Sequence, residues 1–171
     1  MAEMTAGRAV VEALREEGVE YMFGVCGSTT NNILTELYDR TDMKFIDTRH
    51  EQNAALMAHG YCRTSGKPAV CLTTSGPATI NLLSGIALAY KGRTPVITIA
   101  GDVATIYLDR DGNQSFDLVS LFKPVTFMAK HVHRTDRVIE AVHDAFRVAM
   151  PGKRGPVMLN IPRDLLDHET I

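Results

Sequence analysis

Ala69-Val70-Cys71-Leu72-Thr73-Thr74-Ser75-Gly76-Pro77-Ala78-Thr79-Ile80-Asn81 is followed by a mostly apolar run to Tyr90 and then by Pro95-Val96-Ile97-Thr98-Ile99-Ala100. The first five residues form a compact apolar run, bounded by Ser-Gly-Pro, that reads as a strand. A helix is expected over 77–90, with Pro77 opening it, and a second strand over 95–100. Two strands separated by a helix of this length need a crossover connection, so they lie parallel in one sheet.

The same alternation extends in both directions. Upstream, Thr5 caps a helix whose Ala6, Ala9, Val10, Ala13 and Leu14 fall at helical spacing, with Gly18 as its stop. A strand over 20–23 leads into a glycine-containing turn, Gly24-Val25-Cys26-Gly27-Ser28. Ile33, Leu34, Leu37 and Tyr38 mark a second helix, 44–48 a second strand, and 51–63 a third helix closed by Gly66. The packed face of that third helix comprises Ala54, Ala55, Met57, Ala58, Tyr61 and Cys62. Downstream come a polar loop over 101–114, a helical piece over 117–122, a strand over 125–130, a helix over 136–149 and a strand over 156–161. After it, Pro162 and a charged tail end the domain. The expected fold is α/β: a three-layer α/β/α domain with a mainly parallel six-stranded sheet. Such sheets bind ligands beyond the carboxyl ends of their strands, which directs attention to 24–29, 49–51, 74–78 and 101–114.

With 171 residues the chain fits one domain able to bury a sizeable core, and 45% hydrophobic with 22% charged residues is ordinary for a globular protein. A net charge of -2 argues against a nucleic-acid partner, which would need a clustered basic surface. No apolar run reaches the ~18 residues of a membrane span, and no signal-peptide pattern opens the chain. Cys26, Cys62 and Cys71 are odd in number with no close pair, which reads as reduced thiols in a cytoplasmic protein. With no Trp and only 6% aromatic residues, the core is expected to be aliphatic.

Common motifs fail. Gly24-Val25-Cys26-Gly27 is an incomplete dinucleotide-binding pattern, and in Ser65-Gly66-Lys67-Pro68 a proline stands where a phosphate loop needs Ser or Thr. His50-Glu51 lacks the second histidine of a zinc-protease helix. His131 and His133 have a spacing that suits a metal, but two solvated histidines on a strand edge are the plainer reading, and no metal site is assigned. Glu51 stands at a strand–helix junction. By position alone, a first-turn carboxylate facing water and favouring the helix dipole is the plainer reading.

Five ordered segments change that balance. Arg49-His50-Glu51-Gln52-Asn53-Ala54-Ala55, continuing to Arg63, resembles the glutamate segment of the thiamine-diphosphate decarboxylase and acetolactate-synthase superfamily. The opening through Gly27-Ser28, the turn Thr74-Ser75-Gly76-Pro77 through Asn81, the stretch 95–101, and Gly155-Pro156 through Arg163-Asp164 are similar to that family as well. The resemblance covers nearly the whole chain and implies its N-terminal pyrimidine-binding domain, over 1–165, with 166–171 starting a linker to a central domain.

The resemblance implies thiamine diphosphate as cofactor and Glu51 as catalytic residue. A glutamate at that position hydrogen-bonds N1′ of the aminopyrimidine and drives its amino group to the imino form, which takes the C2 proton of the thiazolium. Val25, Cys26 (where relatives usually carry proline), Gly27, Thr74, Gly76, Pro77 and Asn81 are expected around the cofactor. Ser28 and Gln114 are expected in the substrate pocket, for a 2-oxo acid or aldehyde. Ser115 and Asn113 beside Gln114 depart from the acetolactate-synthase pattern. The Gly-Asp-Gly…Asn segment that holds Mg²⁺ and the diphosphate is missing, since Gly101-Asp102 runs on into Val103. The implied function is half of a carboligase or decarboxylase, completed by a diphosphate-binding domain or subunit, with the isolated chain inactive. The implied assembly is a homodimer or tetramer through the apolar helices 51–63 and 77–90. FAD is an option for the complete enzyme. The competing readings are the α subunit of a naturally split decarboxylase, a non-catalytic domain that kept the fold, and a flavodoxin-like nucleotide binder.

Overall fold

The computed structural model describes residues 4–150, 152, 155–167 and 169–170. Along the chain run β1 (Met4–Thr5), α1 (Ala6–Glu16), β2 (Tyr21–Gly24), α2 (Asn31–Leu37), β3 (Lys44–Asp47), α3 (Glu51–Ser65), β4 (Ala69–Thr73), α4 (Pro77–Asn81) and α5 (Leu83–Gly92). They continue with β5 (Val96–Asp102), α6 (Leu118–Phe122), β6 (Met128–His131), α7 (Val138–Ala149), β7 (Val157–Pro162), α8 (Arg163–Asp167) and β8 (Glu169–Thr170).

The expected strand–helix–strand unit forms as a parallel pair, with Cys71 of β4 opposite Thr98 of β5. The sheet grows around it in the order β3-β2-β4-β5-β7-β6, every neighbouring pair parallel. β1 and β8 add a short antiparallel pair outside it. β4, β5 and β7 are buried along their full length, as central parallel strands covered on both faces must be.

Side-chain alternation splits the core in two. Ile97, Ile99, Val157, Leu159 and Ile161 face one way, onto α1, α2, α7 and α8. Val96, Ala100 and Met158 face α3, α5 and α6 on the other side. Helix α1 starts where Thr5 Oγ1 accepts from the Arg8 N–H (3.2 Å) and ends before Gly18, whose φ of +77° turns the chain toward β2. Gly66 closes α3 in the left-handed region.

Four expectations need correction. The helix placed over 77–90 is two helices, because at Leu82 the N–H bonds to Thr79 O, three residues back, and the turn tightens there. Met57, assigned to the packed face of α3, is exposed, as is Tyr38, which is expected to mark the second helix and lies just past the end of α2. The tail after Pro162 opens with α8, whose Leu165 and Leu166 are buried in the core. His131 is no solvated edge residue. Its side chain is 16% exposed, its Nδ1 lies 3.0 Å from Asn160 Nδ2, and only His133 next to it is exposed. Of the linker assigned to 166–171, residues 168 and 171 lie outside the described residues. No helix among the described residues is long and apolar enough to cross a membrane.

Candidate active site

The carboxyl ends of β2, β4 and β5 open on one side of the sheet, and the loops leaving them are tied to one another. Thr48, after β3, donates its backbone N–H to Gly24 O (2.7 Å), and its Oγ1 lies 3.0 Å from the carbonyls of Gly24 and His50. The start of α3 is therefore fixed to the end of β2. His50 is the N-cap, its Nδ1 accepting from Gln52 N, and Glu51 is the first helical residue.

Glu51 is only 9% exposed. Burying a carboxyl group is costly unless its oxygens are engaged. One oxygen is: Asn81 Nδ2, at the end of α4, donates to Oε2 at 2.9 Å. Oε1 has no hydrogen-bond partner among the described residues. The start of a 15-residue helix also favours negative charge there.

The turn after β4 is held by hydroxyl groups. Thr73 Oγ1 bonds Thr79 Oγ1 (2.9 Å), and both lie 2.8 Å from Thr74 O, which locks the first turn of α4 onto the strand. Gly76 has φ +61° and ψ -120°, and a Cβ there would stand 2.6 Å from Gln114 O, so only glycine fits. Gly27 is pressed on Thr74, where a Cβ would approach to 2.3 Å of the threonine Cβ. Thr74 Oγ1 in turn pairs with Thr29 Oγ1 at 2.9 Å.

Beside this lies a cleft of about 250 Å³, with Ser28, Ser75, Ala104, Tyr107, Gln114 and Arg163 on its walls. Gln114 sits at φ +67°, and its Oε1 accepts from Ser75 Oγ at 3.2 Å. Asp164 holds the far wall, accepting from Thr105 N (2.9 Å) and Thr105 Oγ1 (2.5 Å). A larger hollow of about 480 Å³ lies on α1 and α7 across the sheet, but its Glu17 and His143 are paired with each other at 2.9 Å. It is open surface far from the strand ends, and the smaller cleft is the chemically equipped one.

The expected site residues thus fall into two adjoining groups. Glu51 and Asn81 are bonded to each other. Gly27 lies against Thr74, and Gly76 against Gln114. Ser28 and Gln114 share the cleft, which Glu51 does not line. Cys26 is exposed, and partial desolvation, then the Asp47 carboxylate, push its thiol above the ordinary range, so it is not a thiolate at neutral pH. Val25 is half-buried, and Pro77 is exposed at the first position of α4. Thr29, Ser75, Tyr107 and Arg163 are additions that sequence reading missed. Thr29, Ser75 and Tyr107 lie inside the strand-end loops 24–29, 74–78 and 101–114 already singled out, and Arg163 directly follows the last strand of the sheet and so stands at a carboxyl end too. Among the described residues, no three His, Cys, Asp or Glu side chains gather to hold a metal ion.

Comparison with known proteins bears on the same residues. Residues 4–121 match the family model described as thiamine pyrophosphate enzyme, N-terminal TPP binding domain. A probable acetolactate synthase large subunit of Methanocaldococcus jannaschii is 39% identical over 97% of the chain and 28% of its own length. The acetolactate synthase of Arthrospira platensis is 37% identical over 95% of the chain and 28% of its own length. The acetolactate synthase large subunit of Haemophilus influenzae is 34% identical over 98% of the chain and 29% of its own length. The chain therefore spans less than a third of the relatives it matches.

Proposed function

This chain belongs to the thiamine pyrophosphate enzymes, matching their N-terminal TPP-binding domain, and from that premise we propose that it is the pyrimidine-binding half of an acetolactate-synthase-like carboligase or 2-oxo-acid decarboxylase. The observation that carries the reading is Glu51, a buried carboxyl with one oxygen engaged and the other free of any partner among the described residues. That donor set fits a heterocyclic nitrogen able to share a proton, and among the described residues no three His, Cys, Asp or Glu side chains gather there to hold a metal ion.

Thiamine diphosphate, when bound, supplies the electron sink for making or breaking the bond beside a keto group. The chain's own residues do the rest from this side. Glu51 holds and exchanges a proton at the pyrimidine nitrogen from a dry position. Val25, Cys26, Gly27, Thr74, Gly76 and Pro77 wall the ring, and the fused contacts Gly27–Thr74 and Gly76–Gln114 keep that wall from shifting. Asn81 borders the same place through Glu51. Ser28 and Gln114 face the 2-oxo acid or aldehyde, and Ser75 fixes the Gln114 amide so that its NH₂ end is free to donate.

The diphosphate end, with Mg²⁺, is assigned to a partner domain or subunit, and FAD, an option only, to another part of the complete enzyme. The domain assigned to 1–165 meets its partner in a homodimer or tetramer. Leu56 and Met57 on α3 and Leu88 on α5 are exposed apolar residues that suit such a contact.

In the complete, cofactor-loaded enzyme, Glu51→Gln is expected to lower kcat by at least about a hundredfold, the scale of losing a positioned proton carrier. The cofactor wall remains in place in that variant. Retention of most turnover by Glu51→Gln would overturn the assignment.

A further inference from the structure

Glu51 and Asn81 lie on different helices, 30 residues apart, and meet at 2.9 Å. The chemistry of the two groups says more than their contact. An amide nitrogen only donates, so Glu51 Oε2 must accept, and because the carbonyl oxygen of a protonated carboxyl is its better acceptor, this bond disfavours the proton on Oε2. A proton that Glu51 holds is therefore favoured on Oε1, the oxygen with no partner among the described residues.

Asn81 is also well anchored. It ends α4, whose start is locked by the Thr73–Thr79–Thr74 hydroxyl bonds, and the tightened turn at Leu82 follows it directly. Asn81 itself is exposed, so its amide is not there to fill the core.

We propose that Asn81 is a positioning residue: by committing Oε2 as an acceptor, it leaves Oε1 as the single oxygen through which Glu51 exchanges a proton with the pyrimidine nitrogen. The inference rests on the assignment of Glu51 given above. It replaces the expected direct contact between Asn81 and the cofactor, and the two roles differ measurably.

The test is thiamine binding to the full 171-residue chain, by amide chemical shifts, in a double-mutant cycle of Glu51→Ala and Asn81→Leu. Asn81→Leu is expected to weaken binding roughly tenfold when Glu51 is present, the scale of one charge-assisted hydrogen bond, and less than about twofold in the Glu51→Ala background. Equal weakening in both backgrounds would mean a direct cofactor contact, and no weakening in either would mean no role; each overturns the proposal. Undiminished binding by Glu51→Ala alone, or no binding by the parent chain, would instead remove the underlying assignment. A second readout is the ¹⁵N shift of N1′ in labelled thiamine. Asn81→Leu should move it toward the free value, and Asn81→Gln, which keeps an amide, should bring part of it back. Asn81→Ala repeats the cycle should Leu disturb α4, and an amide spectrum matching the parent outside the site confirms the fold.

Discussion

At Gly76 the backbone occupies a region closed to side chains, with Gln114 O directly over the missing Cβ. Gly60, in the middle of α3, has nothing within 4 Å of that position. The two glycines make a controlled pair. Gly76→Ala is expected to cost at least about 2 kcal/mol, or roughly 4–8 °C of melting temperature in a domain of this size. Gly60→Ala should raise stability by roughly 0.5–1 kcal/mol, because it relieves a helix of glycine's backbone entropy. Thermal unfolding of the two variants checks this, and equal effects would show that the Gly76–Gln114 contact does not constrain the turn. Single residues of this kind were legible in the sequence where a local rule applied, as at Thr5, Gly18 and Gly66. The Glu51–Asn81 bond was not, because nothing local in either segment specifies a partner 30 residues away.

Among the elements other than β1, α8 and β8, existence and type followed from periodicity, while ends and breaks followed from tertiary bonds. The break at Leu82 follows a turn in which the Thr73 hydroxyl and the Thr74 carbonyl grip Thr79, which an apolar helical pattern does not reveal. The ends of β5, β6 and β7 hold a second surprise. Asn160 Nδ2 donates to Asp102 Oδ2 (2.5 Å) and faces His131 Nδ1 (3.0 Å), so Nδ1 is an acceptor and His131 is the neutral tautomer with its proton on Nε2. Asp102 Oδ1 accepts from Val103 N (2.7 Å), which links this cluster to the cleft wall. Burial, then the neighbouring His133, lower the His131 pKa below its ordinary 6.5, against an upward pull from Asp102 and Asp109. The unfolded chain therefore takes a proton at His131 near pH 6.5 that the folded chain resists, and stability contributed by the neutral ring is present above pH 6.5 and lost as pH falls below it. His59, lowered by burial and Arg63, acts in the same direction, so only a comparison isolates His131. Urea unfolding at pH 7.5 and 5.5 should show a smaller loss of stability in His131→Asn than in the parent chain. An identical loss would mean the ring is not held neutral.

For the molecule as a whole, a pattern of strand and helix lengths was enough to anticipate three layers and a six-stranded sheet, because parallel strands joined by helices admit few arrangements. Two features required the coordinates: β1 pairing with β8, and α8 sealing the core with Leu166, where the sequence shows only a charged tail. The site was legible as a set of loops at strand ends, and its two adjoining parts were not. The half-site account also makes a demand on binding as a whole. If this chain recognises only the pyrimidine, the diphosphate adds nothing here, since no metal-holding cluster is gathered among the described residues.

Titrating the ¹⁵N-labelled chain separately with thiamine and with thiamine diphosphate plus Mg²⁺ tests that most directly. The account predicts weak binding of similar strength for both ligands, amide shifts centred on Gly27, Glu51–Gln52 and Thr74–Gly76, and their loss in Glu51→Ala. Binding that tightens greatly with the diphosphate and Mg²⁺, or shifts that fall elsewhere on the sheet, would contradict it.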